Sequence, residues 1–279
     1  MKKMTLQKIF NADDFGISKG VNAAIVKAHR EGILNSASLM INQKYAAEAV
    51  KLAKEMPELE MGLHVNLTNE YPAASAQEIP LLVDGQGKLK NGFVNLLLLS
   101  FFKPRQLRQQ VEIEMRAQIA KYLTTGLPLQ HLDSHRHVHM IPQIFKTMRK
   151  LQKEFEVPRI RVMNENIFNT LKYNHNKSWL FDGALIKYVL LRFLCWWNGY
   201  KNDVYFYTLM YTCKIAKEQF SGVKIPQGYK AVEIMIHPGM PEIDKQYPED
   251  VWDENILSPY RTVELETLLD KKVPEGIND

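Results

Sequence analysis

The segment from His131 to His139 concentrates side chains that commonly bind metals or move protons. Four of the chain's eight histidines lie at alternate positions of these nine residues, together with Asp133. In an extended backbone all five side chains would face one side. An apolar core could not satisfy so many polar rings, which indicates a metal or catalytic site. Not all four histidines can bind an ion, because coordinating imidazoles usually need a carboxylate such as Asp133 to fix their tautomer.

Two adjacent carboxylates, Asp13 and Asp14, follow a short apolar run and precede a helix-start signal at Ser18. Buried together without compensation they would repel each other, and a nearby cation would resolve that conflict. The alternative is a turn that places negative charge at the N-terminus of a helix. The pair alone does not decide between these interpretations.

Single polar residues near the ends of apolar runs give weaker signals. His64 lies in the run GLHVNL, where a lone histidine is more often a core residue than a metal ligand. His237 ends an apolar run before a Pro-Gly pair, and alone it would be interpreted as a turn residue. Arg159 and Arg161 share one face of a predicted strand, either as surface ion-pair partners or as cations that neutralise a carboxylate of the site.

Short apolar runs alternate with longer amphipathic ones along most of the chain, which predicts strands alternating with helices. Strands are predicted at residues 8–10, 36–41, 61–67, 129–133, 159–163 and 231–236, and helices at 18–31, 45–56, 104–125, 142–155 and 259–269. This α/β alternation favours a parallel sheet with helices packed outside it, either open or closed into a barrel. The polar residues above lie at or just past the strand ends, where such folds carry their chemistry.

Two stretches break the alternation and are predicted to be loop insertions, at about residues 69–100 and 164–211. The first contains a glycine-rich patch and an apolar run, and the second is rich in aromatic residues. Insertions after strands often carry substrate-binding side chains. Because no linker or internal repeat stands out, we predict a single domain over residues 1–279.

Composition excludes several classes of protein. The 279 residues are 46% hydrophobic and 24% charged, which excludes a disordered or collagen-like chain. The net charge of +5 is scattered rather than gathered into the stripe typical of a nucleic-acid binder. Two cysteines, Cys195 and Cys213, cannot form a disulfide framework, which favours a reducing compartment.

No apolar run is expected to span a membrane. Residues 93–102 are too few, and residues 184–197 are interrupted by a lysine and an arginine, so both are predicted to be buried or interface helices. Asp13 and Asp14 come before any apolar region of a signal peptide could form, so no signal peptide is expected. We therefore expect a cytoplasmic protein without a nucleic-acid or membrane partner.

Four motifs, NADDFG, GLHVNLT, HLDSHRHVHMIPQIF and IHPG, occur in this order along the chain. In order and spacing they resemble the YdjC-like carbohydrate deacetylases, the group that includes chitooligosaccharide deacetylase, over roughly residues 8–269. The resemblance implies a distorted (β/α) barrel related to the polysaccharide deacetylases. It is weakest in the two predicted insertions, where substrate specificity would be set.

The resemblance also implies an activity, hydrolysis of the N-acetyl group of an acetylated amino sugar or chitooligosaccharide with release of acetate. It implies a divalent metal ion, Mg²⁺ first and Zn²⁺ as the alternative, and suggests a homodimer. The metal ligands carried over by motif are Asp14, His64 and His135. Asp13 matches the position of the general base and His237 that of the general acid. Arg161 matches a family arginine that we place near Asp13.

The chain departs from the family pattern at two places. Residues 69–72 lack the glycine-containing turn found in many relatives, so the entrance loop is expected to differ. No final strand is predicted after residue 269, which would leave a barrel edge to be covered. Neither departure touches the expected ligands.

Two other functions stay open. A glycosidase acting on a di- or phospho-disaccharide would need two carboxylates about 5 to 9.5 Å apart, whereas Asp13 and Asp14 are neighbours. A non-catalytic metal- or sugar-binding protein would keep the ligands but would need neither Asp13 nor His237 as a catalyst. Free acetate, shortened sugars or the lack of any turnover would distinguish the three.

Overall fold

Buried apolar strands form the centre of the computed structural model, which describes residues 6–173 and 183–278. The strands are β1 (Gln7–Phe15), β2 (Ser36–Leu39), β3 (Glu60–Val65), β4 (His131–Ser134), β5 (Arg159–Ile160), β6 (Val204–Tyr207), β7 (Val223–Lys224), β8 (Ala231–Ile236) and β9 (Ile277–Asn278). Seven of them form one sheet in the order β5-β4-β3-β2-β1-β8-β6, and all neighbouring pairs are parallel. The sheet curls into a half-barrel, which confirms the predicted distorted (β/α) barrel.

The helices connect the parallel strands, as crossover connections in such a sheet require. They are α1 (Lys19–Glu31), α2 (Ala46–Lys54), α3 (Phe93–Phe102), α4 (Pro104–Leu123), α5 (Pro142–Glu154), α6 (Ile167–Tyr173), α7 (Ala184–Asn198), α8 (Pro241–Asp244) and α9 (Tyr260–Leu269). Each of the five predicted helices is present, with ends that differ by a few residues. None of the helices in the described ranges is long and apolar enough to cross a bilayer.

Helix α1 shows how local signals set the ends of an element. The side chain of Ser18 accepts a hydrogen bond from the backbone N–H of Val21, and the N–H of Gly32 bonds the carbonyl of Ala28. These bonds satisfy backbone groups that a helix end leaves free. The capped helix buries its apolar face. It is the next element after β1, the strand that carries the acidic pair.

The two stretches predicted as insertions contain regular structure. The first includes most of α3, and the second includes α6, α7 and β6. Residues 174–182 of the second stretch lie outside the described part of the chain. Strand β6 pairs with β8, so residues 204–207 belong to the central sheet rather than to a loop insertion. A short strand does follow residue 269, contrary to the expectation: β9 pairs with β7 in a separate two-stranded sheet.

The edge strands β5 and β6 are linked by asparagine side chains. The Nδ2 atom of Asn164 donates to the carbonyl of Val204 at 2.8 Å, and its Oδ1 accepts from the N–H of Phe206 at 2.7 Å. Across the same gap, Nδ2 of Asn202 donates to the carbonyl of Ile160 at 3.2 Å. We refer to Asn164 and Asn202 as the asparagine seam, because they join the two edges of the curled sheet.

Candidate metal centre and active site

Strand β1 bends where it carries Asp13 and Asp14. Its pairing with β2 shifts register between Ala12 and Phe15, and Asp14 has a φ of 68°. A positive φ is uncommon for residues other than glycine, and such strained backbone concentrates at functional sites. A regular strand would turn adjacent side chains to opposite faces. Instead, Nε2 of His64 lies 3.9 Å from Oδ2 of Asp13 and 3.6 Å from Oδ1 of Asp14.

His64 is held by a carboxylate on the neighbouring strand. Its Nδ1 lies 2.7 Å from Oδ1 of Asp133, which occupies the paired position on β4. Burial lowers the pKa of His64, but the negative charges of Asp133 and of the two aspartates on β1 outweigh it and raise this pKa. A carboxylate on one ring nitrogen orients the other toward a cation, as in many histidine metal sites. His64 therefore has the surroundings of a ligand rather than those of an apolar core residue.

The histidine-rich segment leaves the extended conformation directly after β4. A 3₁₀ turn spans His135–Met140, and Arg136 and His137 both have a φ of 55°. The prediction that five alternate side chains share one face is therefore wrong beyond Ser134. The physical reason is a local bond: the N–H of His139 donates to Oγ of Ser134 at 2.8 Å, which folds the segment back on itself.

Two of the four clustered histidines, His131 and His139, are buried and contact neighbouring protein groups. Nε2 of His131 lies 3.0 Å from Oγ of Ser38, and its ring packs so closely on Gly62 that a Cβ there would lie 2.2 Å from it. His139 places Nε2 3.1 Å from the carbonyl of Arg161. Burial lowers the pKa of His139 to about 4, so its ring is neutral at ordinary pH.

The other two clustered histidines line a cavity. Nδ1 of His135 lies 3.0 Å from Oδ1 of Asp14. Within residues 6–173 and 183–278, Nε2 of His135 and Nδ1 of His137 are buried ring nitrogens without a hydrogen-bond partner. Because unpartnered buried polar atoms cost free energy, such atoms often mark a place where a ligand binds. Burial also lowers the pKa of both rings and favours the neutral form that binds metals.

The structure brings the three predicted metal ligands together. Donor atoms of Asp14, His64 and His135 lie within 4.8 Å of one another, and all three residues are buried. One carboxylate oxygen and two imidazole nitrogens are a donor set that suits Zn²⁺ and other divalent ions, so these residues fit the expected cation. A second grouping combines His64 with Asp13 and Asp133. Arg161 bonds both oxygens of Asp13 and also pairs with Asp133. Among the described residues the only arginine bond to Asp14 is to Oδ2, which favours the first grouping.

Arg161 lies where the family resemblance placed it, beside Asp13. Its two terminal nitrogens donate to the two oxygens of Asp13, each at 2.7 Å, and its Nε donates to Oε1 of Glu233 at 2.6 Å. The guanidinium is completely buried, and bidentate pairing of this kind fixes the orientation of a carboxylate. Asp13 is thus a rigidly held carboxylate beside two of the predicted ligands, Asp14 and His64.

His237 follows β8 and completes the cluster from the other side of Asp13. Its Nε2 lies 3.9 Å from Oδ2 of Asp13, and its Nδ1 lies 3.7 Å from Oε2 of Glu264 and 3.8 Å from Sγ of Cys213. Burial lowers the pKa of His237, but Cys213, Glu264 and Asp14 outweigh it and raise this pKa well above its ordinary value. A raised pKa favours the protonated ring, which is the form that a general acid needs.

All of the predicted site residues except Arg161 line one cavity of about 590 Å³. This volume is typical of small-ligand sites. Apolar side chains also line it, among them Phe93 from the start of α3 and Ile186 and Leu190 from α7. The cavity therefore combines a charged, histidine-rich part with an apolar part.

Comparison with known proteins places the chain in a family. Residues 8–279 match the family model described as "YdjC-like protein". The chain belongs to the YdjC-like family. The family resemblance noted in the four sequence motifs is thereby confirmed.

Curated relatives of this YdjC-like chain include proteins named carbohydrate deacetylase. One from Brevibacillus brevis is 44% identical over 153 residues, which cover 55% of this chain and 58% of the relative. One from Geobacillus stearothermophilus is 38% identical over 150 residues, covering 54% and 57%. One from Clostridium beijerinckii is 34% identical over 169 residues, covering 60% and 65%. The matched region thus spans less than two thirds of each relative.

A crystal structure with a similar fold comes from Enterococcus faecalis V583, where the protein is provisionally described as a cellobiose-phosphate cleavage protein. It has a TM-score of 0.67 and 24% identity to the YdjC-like chain, and the match covers 98% of this chain and 94% of the other. At that identity the similarity shows the fold alone.

Three charged residues of this YdjC-like site were not predicted. Arg261 on α9 donates to Oδ2 of Asp14 at 2.8 Å. Burial raises the pKa of Asp14, but the charges of His135 and Arg261 outweigh it and hold that pKa well below its ordinary value. Glu264, one turn further along α9, accepts from the N–H of His237 at 2.5 Å. The third, Glu233, had a usable signal, because it is the single charged residue in the apolar strand AVEIMI.

Proposed function

We propose that the protein is a metal-dependent carbohydrate deacetylase that removes the N-acetyl group of an acetylated amino sugar or chitooligosaccharide and releases acetate. The observation that carries this proposal is the arrangement around one cavity of three residues that could hold a cation, a buried carboxylate and a histidine whose pKa is raised. The names of the curated relatives support it. We further propose that residues 1–279 form one YdjC-like deacetylase domain and that the protein works in the cytoplasm.

We propose Asp14, His64 and His135 as ligands of a divalent ion, with Mg²⁺ as the first candidate and Zn²⁺ as the second. Such an ion, when bound, would lower the pKa of water and polarise the acetyl carbonyl. The protein prepares the donors through two outer contacts. Asp133 orients the ring of His64, and Arg261 holds the second oxygen of Asp14.

Asp13 is proposed as the general base that takes a proton from the attacking water. Its Oδ2 lies 3.9 Å from Nε2 of both His64 and His237, so this oxygen faces the space between the ligand cluster and the proposed acid. Arg161 prevents the carboxylate from rotating and offsets its charge in the buried interior. A positioned base of this kind typically contributes about 10²- to 10⁴-fold in rate.

His237 is proposed as the general acid that donates its Nε2 proton to the departing amine. Without that proton the tetrahedral adduct would tend to expel water and return to the amide. Glu264 and Cys213 lie next to Nδ1 and leave Nε2 directed at Asp13, within the cavity. Water supplies the hydroxyl of the acetic acid and the proton that, through Asp13 and His237, completes the amine.

Cleavage of a glycosidic bond has weaker support in the geometry. That reaction needs two carboxylates on either side of the bond, about 5 to 9.5 Å apart. Asp13 and Asp14 are adjacent on β1, and each is bonded to its own buried arginine, Arg161 or Arg261. The fold neighbour described for cellobiose-phosphate cleavage shares too little sequence to outweigh this.

The test is acetate release from a panel of N-acetylglucosamine oligomers, with and without phosphate, before and after chelation and return of Mg²⁺ or Zn²⁺. We expect acetate with an intact sugar chain and metal-dependent turnover. The variant His135→Ala should abolish that turnover while keeping its circular dichroism spectrum, and His29→Ala on α1 is the matched control. Shortened sugars without acetate would indicate a glycosidase, and metal binding without any turnover would indicate a binding protein. Light scattering of the same samples tests the predicted homodimer.

A further inference from the structure

Two helices beside the cavity present large apolar side chains to solvent. These residues are Val94, Leu98, Phe101 and Phe102 on α3, and Ile186, Val189, Phe193, Trp196 and Trp197 on α7. We call this set the α3–α7 face. Phe102 is 80% exposed and Trp196 is 73% exposed, so of the two predicted alternatives, buried or interface helices, these side chains fit the interface one. Exposed apolar surface of this extent marks an interaction site.

The two helices of the α3–α7 face border the same cavity. Both pack against α5 and against the turn His135–Met140. Phe93 at the start of α3 and Leu190 on α7 line the cavity that also contains the proposed ligands. Ile186 lines this cavity while it is 76% exposed. Each of the two helices therefore carries exposed apolar side chains and also contributes apolar side chains to the candidate active site.

Helix α7 extends this surface toward a second cavity. Ile186, Leu190, Phe193 and Trp197 follow one another at intervals of four, three and four residues, so they form one stripe along the helix. The ring of Phe193 lies 5.8 Å from the rings of both Trp196 and Trp197. Trp197 borders a cavity of about 530 Å³, and the basic residues lining that cavity are Lys146, Arg149, Lys150 and Lys153 of α5.

The two sequence stretches that contain α3 and α7 carry net positive charge. Residues 85–111 contain no acidic residue and five basic ones, and residues 183–202 contain no acidic residue and three basic ones. Glu112 offsets part of the charge on α5, because it bonds Lys150 at 2.6 Å. A second copy of the chain would bring the same positive charge to the contact. An anionic partner with an apolar interior matches both the charge and the exposed aromatic side chains.

We propose that the α3–α7 face docks on an anionic lipid surface, and that the substrate is an acetylated amino sugar attached to an apolar chain presented there. The second part rests on the proposed deacetylase function. Helices with tryptophan and phenylalanine on one side and lysine and arginine beside them lie in the plane of a membrane interface. The apolar part of the cavity would take the start of the chain, and the histidine-rich part would take the acetamido group. The proposal differs from the expectation, drawn from the sequence, of no membrane partner.

The docking part is tested by co-sedimentation of the full chain with vesicles of phosphatidylcholine alone or with added phosphatidylglycerol. We expect binding only when phosphatidylglycerol is present, and weaker binding as salt is added. The double variant Trp196→Gln/Phe102→Gln should bind at least about tenfold more weakly, because it removes the two most exposed aromatic side chains of the α3–α7 face. The matched control is Leu123→Gln, since Leu123 is exposed but lies about 28 Å along α4 from its start beside α3. Equal thermal unfolding temperatures would show that the variants are folded.

Two results would overturn the docking part. One is equal vesicle binding by the double variant and the wild type. The other is a wild type that does not bind vesicles containing phosphatidylglycerol. If light scattering then shows a dimer that the double variant abolishes, the face is an interface between copies.

The substrate part is tested by acetate release from a long-chain alkyl glycoside of N-acetylglucosamine in phosphatidylglycerol vesicles, compared with a water-soluble oligomer. Faster release from the alkyl glycoside supports the proposal, and the double variant should lose that advantage. Release from the soluble oligomer alone would overturn the substrate assignment and leave the deacetylase function intact. No release from either compound, together with normal vesicle binding, would overturn the deacetylase function and leave the docking surface intact.

Discussion

Nδ1 of His64 and Oδ1 of Asp133 lie 2.7 Å apart at directly paired positions of β3 and β4. With a proton on Nδ1, the ring donates to the carboxylate, and the lone pair of Nε2 faces the aspartates of β1. The parallel register of two short strands therefore determines which ring nitrogen is available to a cation. Asp133 has no direct place in the proposed reaction, yet it prepares a proposed ligand.

Replacing Asp133 by Asn should weaken metal binding about 10- to 100-fold, because the amide cannot match the charge that orients His64. Isothermal titration calorimetry with Mg²⁺ and Zn²⁺ measures this directly. Asp203→Asn removes an aspartate that pairs with Lys230 at the surface and serves as the control. Unchanged affinity in the Asp133 variant would show that the contact does not support the ion.

The adjacent aspartates should respond differently to the same substitution. Asp13→Asn should retain metal binding and lose turnover, because Asp13 is the proposed base and Arg161 holds it in place. Asp14→Asn should weaken both, because Asp14 is a proposed ligand. Calorimetry and acetate release on the two variants give the comparison. Equal loss of metal in both would contradict this division of roles.

Replacement of His237 by Ala should lower kcat by about 10²-fold or more on a sugar amide. The loss should be much smaller on an activated acetyl ester, whose leaving group needs little protonation. Initial rates on the two substrates at one pH provide the measurement. Equal losses would mean that His237 only shapes the cavity, and the acid role would then pass to His137, which lines the same cavity.

Glu165 should make stability depend on pH. Burial raises its pKa from 4.5 to about 7, although Thr170 and the N–H of Leu209 donate to the carboxylate. Between these two values the folded protein binds a proton that the unfolded chain has released. The free energy of unfolding should therefore fall as pH rises from about 4.5 to about 7, by about 3 kcal/mol in total.

The variant Glu165→Gln cannot ionise and should lack that fall. Urea unfolding at pH 5 and pH 8 should show similar stabilities for variant and wild type at the lower pH, and a more stable variant at the higher pH. The exposed Glu266→Gln should follow the wild type at both values. A wild-type stability that is equal at pH 5 and pH 8 would contradict the raised pKa.

Local signals in the sequence predict much of the fold. A serine cap, a following glycine and a first-turn proline mark helices α1 and α5 in the sequence, and the structure places both where those signals indicate. Strand β6 escaped prediction because its four residues, VYFY, lie within a longer aromatic stretch that has no alternation. Its place in the sheet comes from pairing with β8, a contact that no local pattern encodes.

The site could be predicted only where its residues lie at the ends of parallel strands. Asp14, His64 and His135 lie at or just past the ends of β1, β3 and β4, which meet at one edge of the barrel, so strand assignment brought them together. Arg261 and Glu264 come from α9, more than 240 residues after Asp14. Their approach depends on packing between distant elements, and their helix gives no sign of it in the sequence.

The asparagine seam has a consequence for which part of the sheet unfolds first. The side-chain hydrogen bonds of Asn164 and Asn202 join the segments at β5 and β6, whereas the pairs inside the sheet share continuous backbone ladders. Amide hydrogens at this junction should therefore exchange with deuterium earlier than those of β1 and β8 under mild denaturant. The curled sheet would open first between its edge strands β5 and β6, which carry none of the three proposed ligands. The donors on β1 and β3, and the one that follows β4, would remain assembled through that first opening.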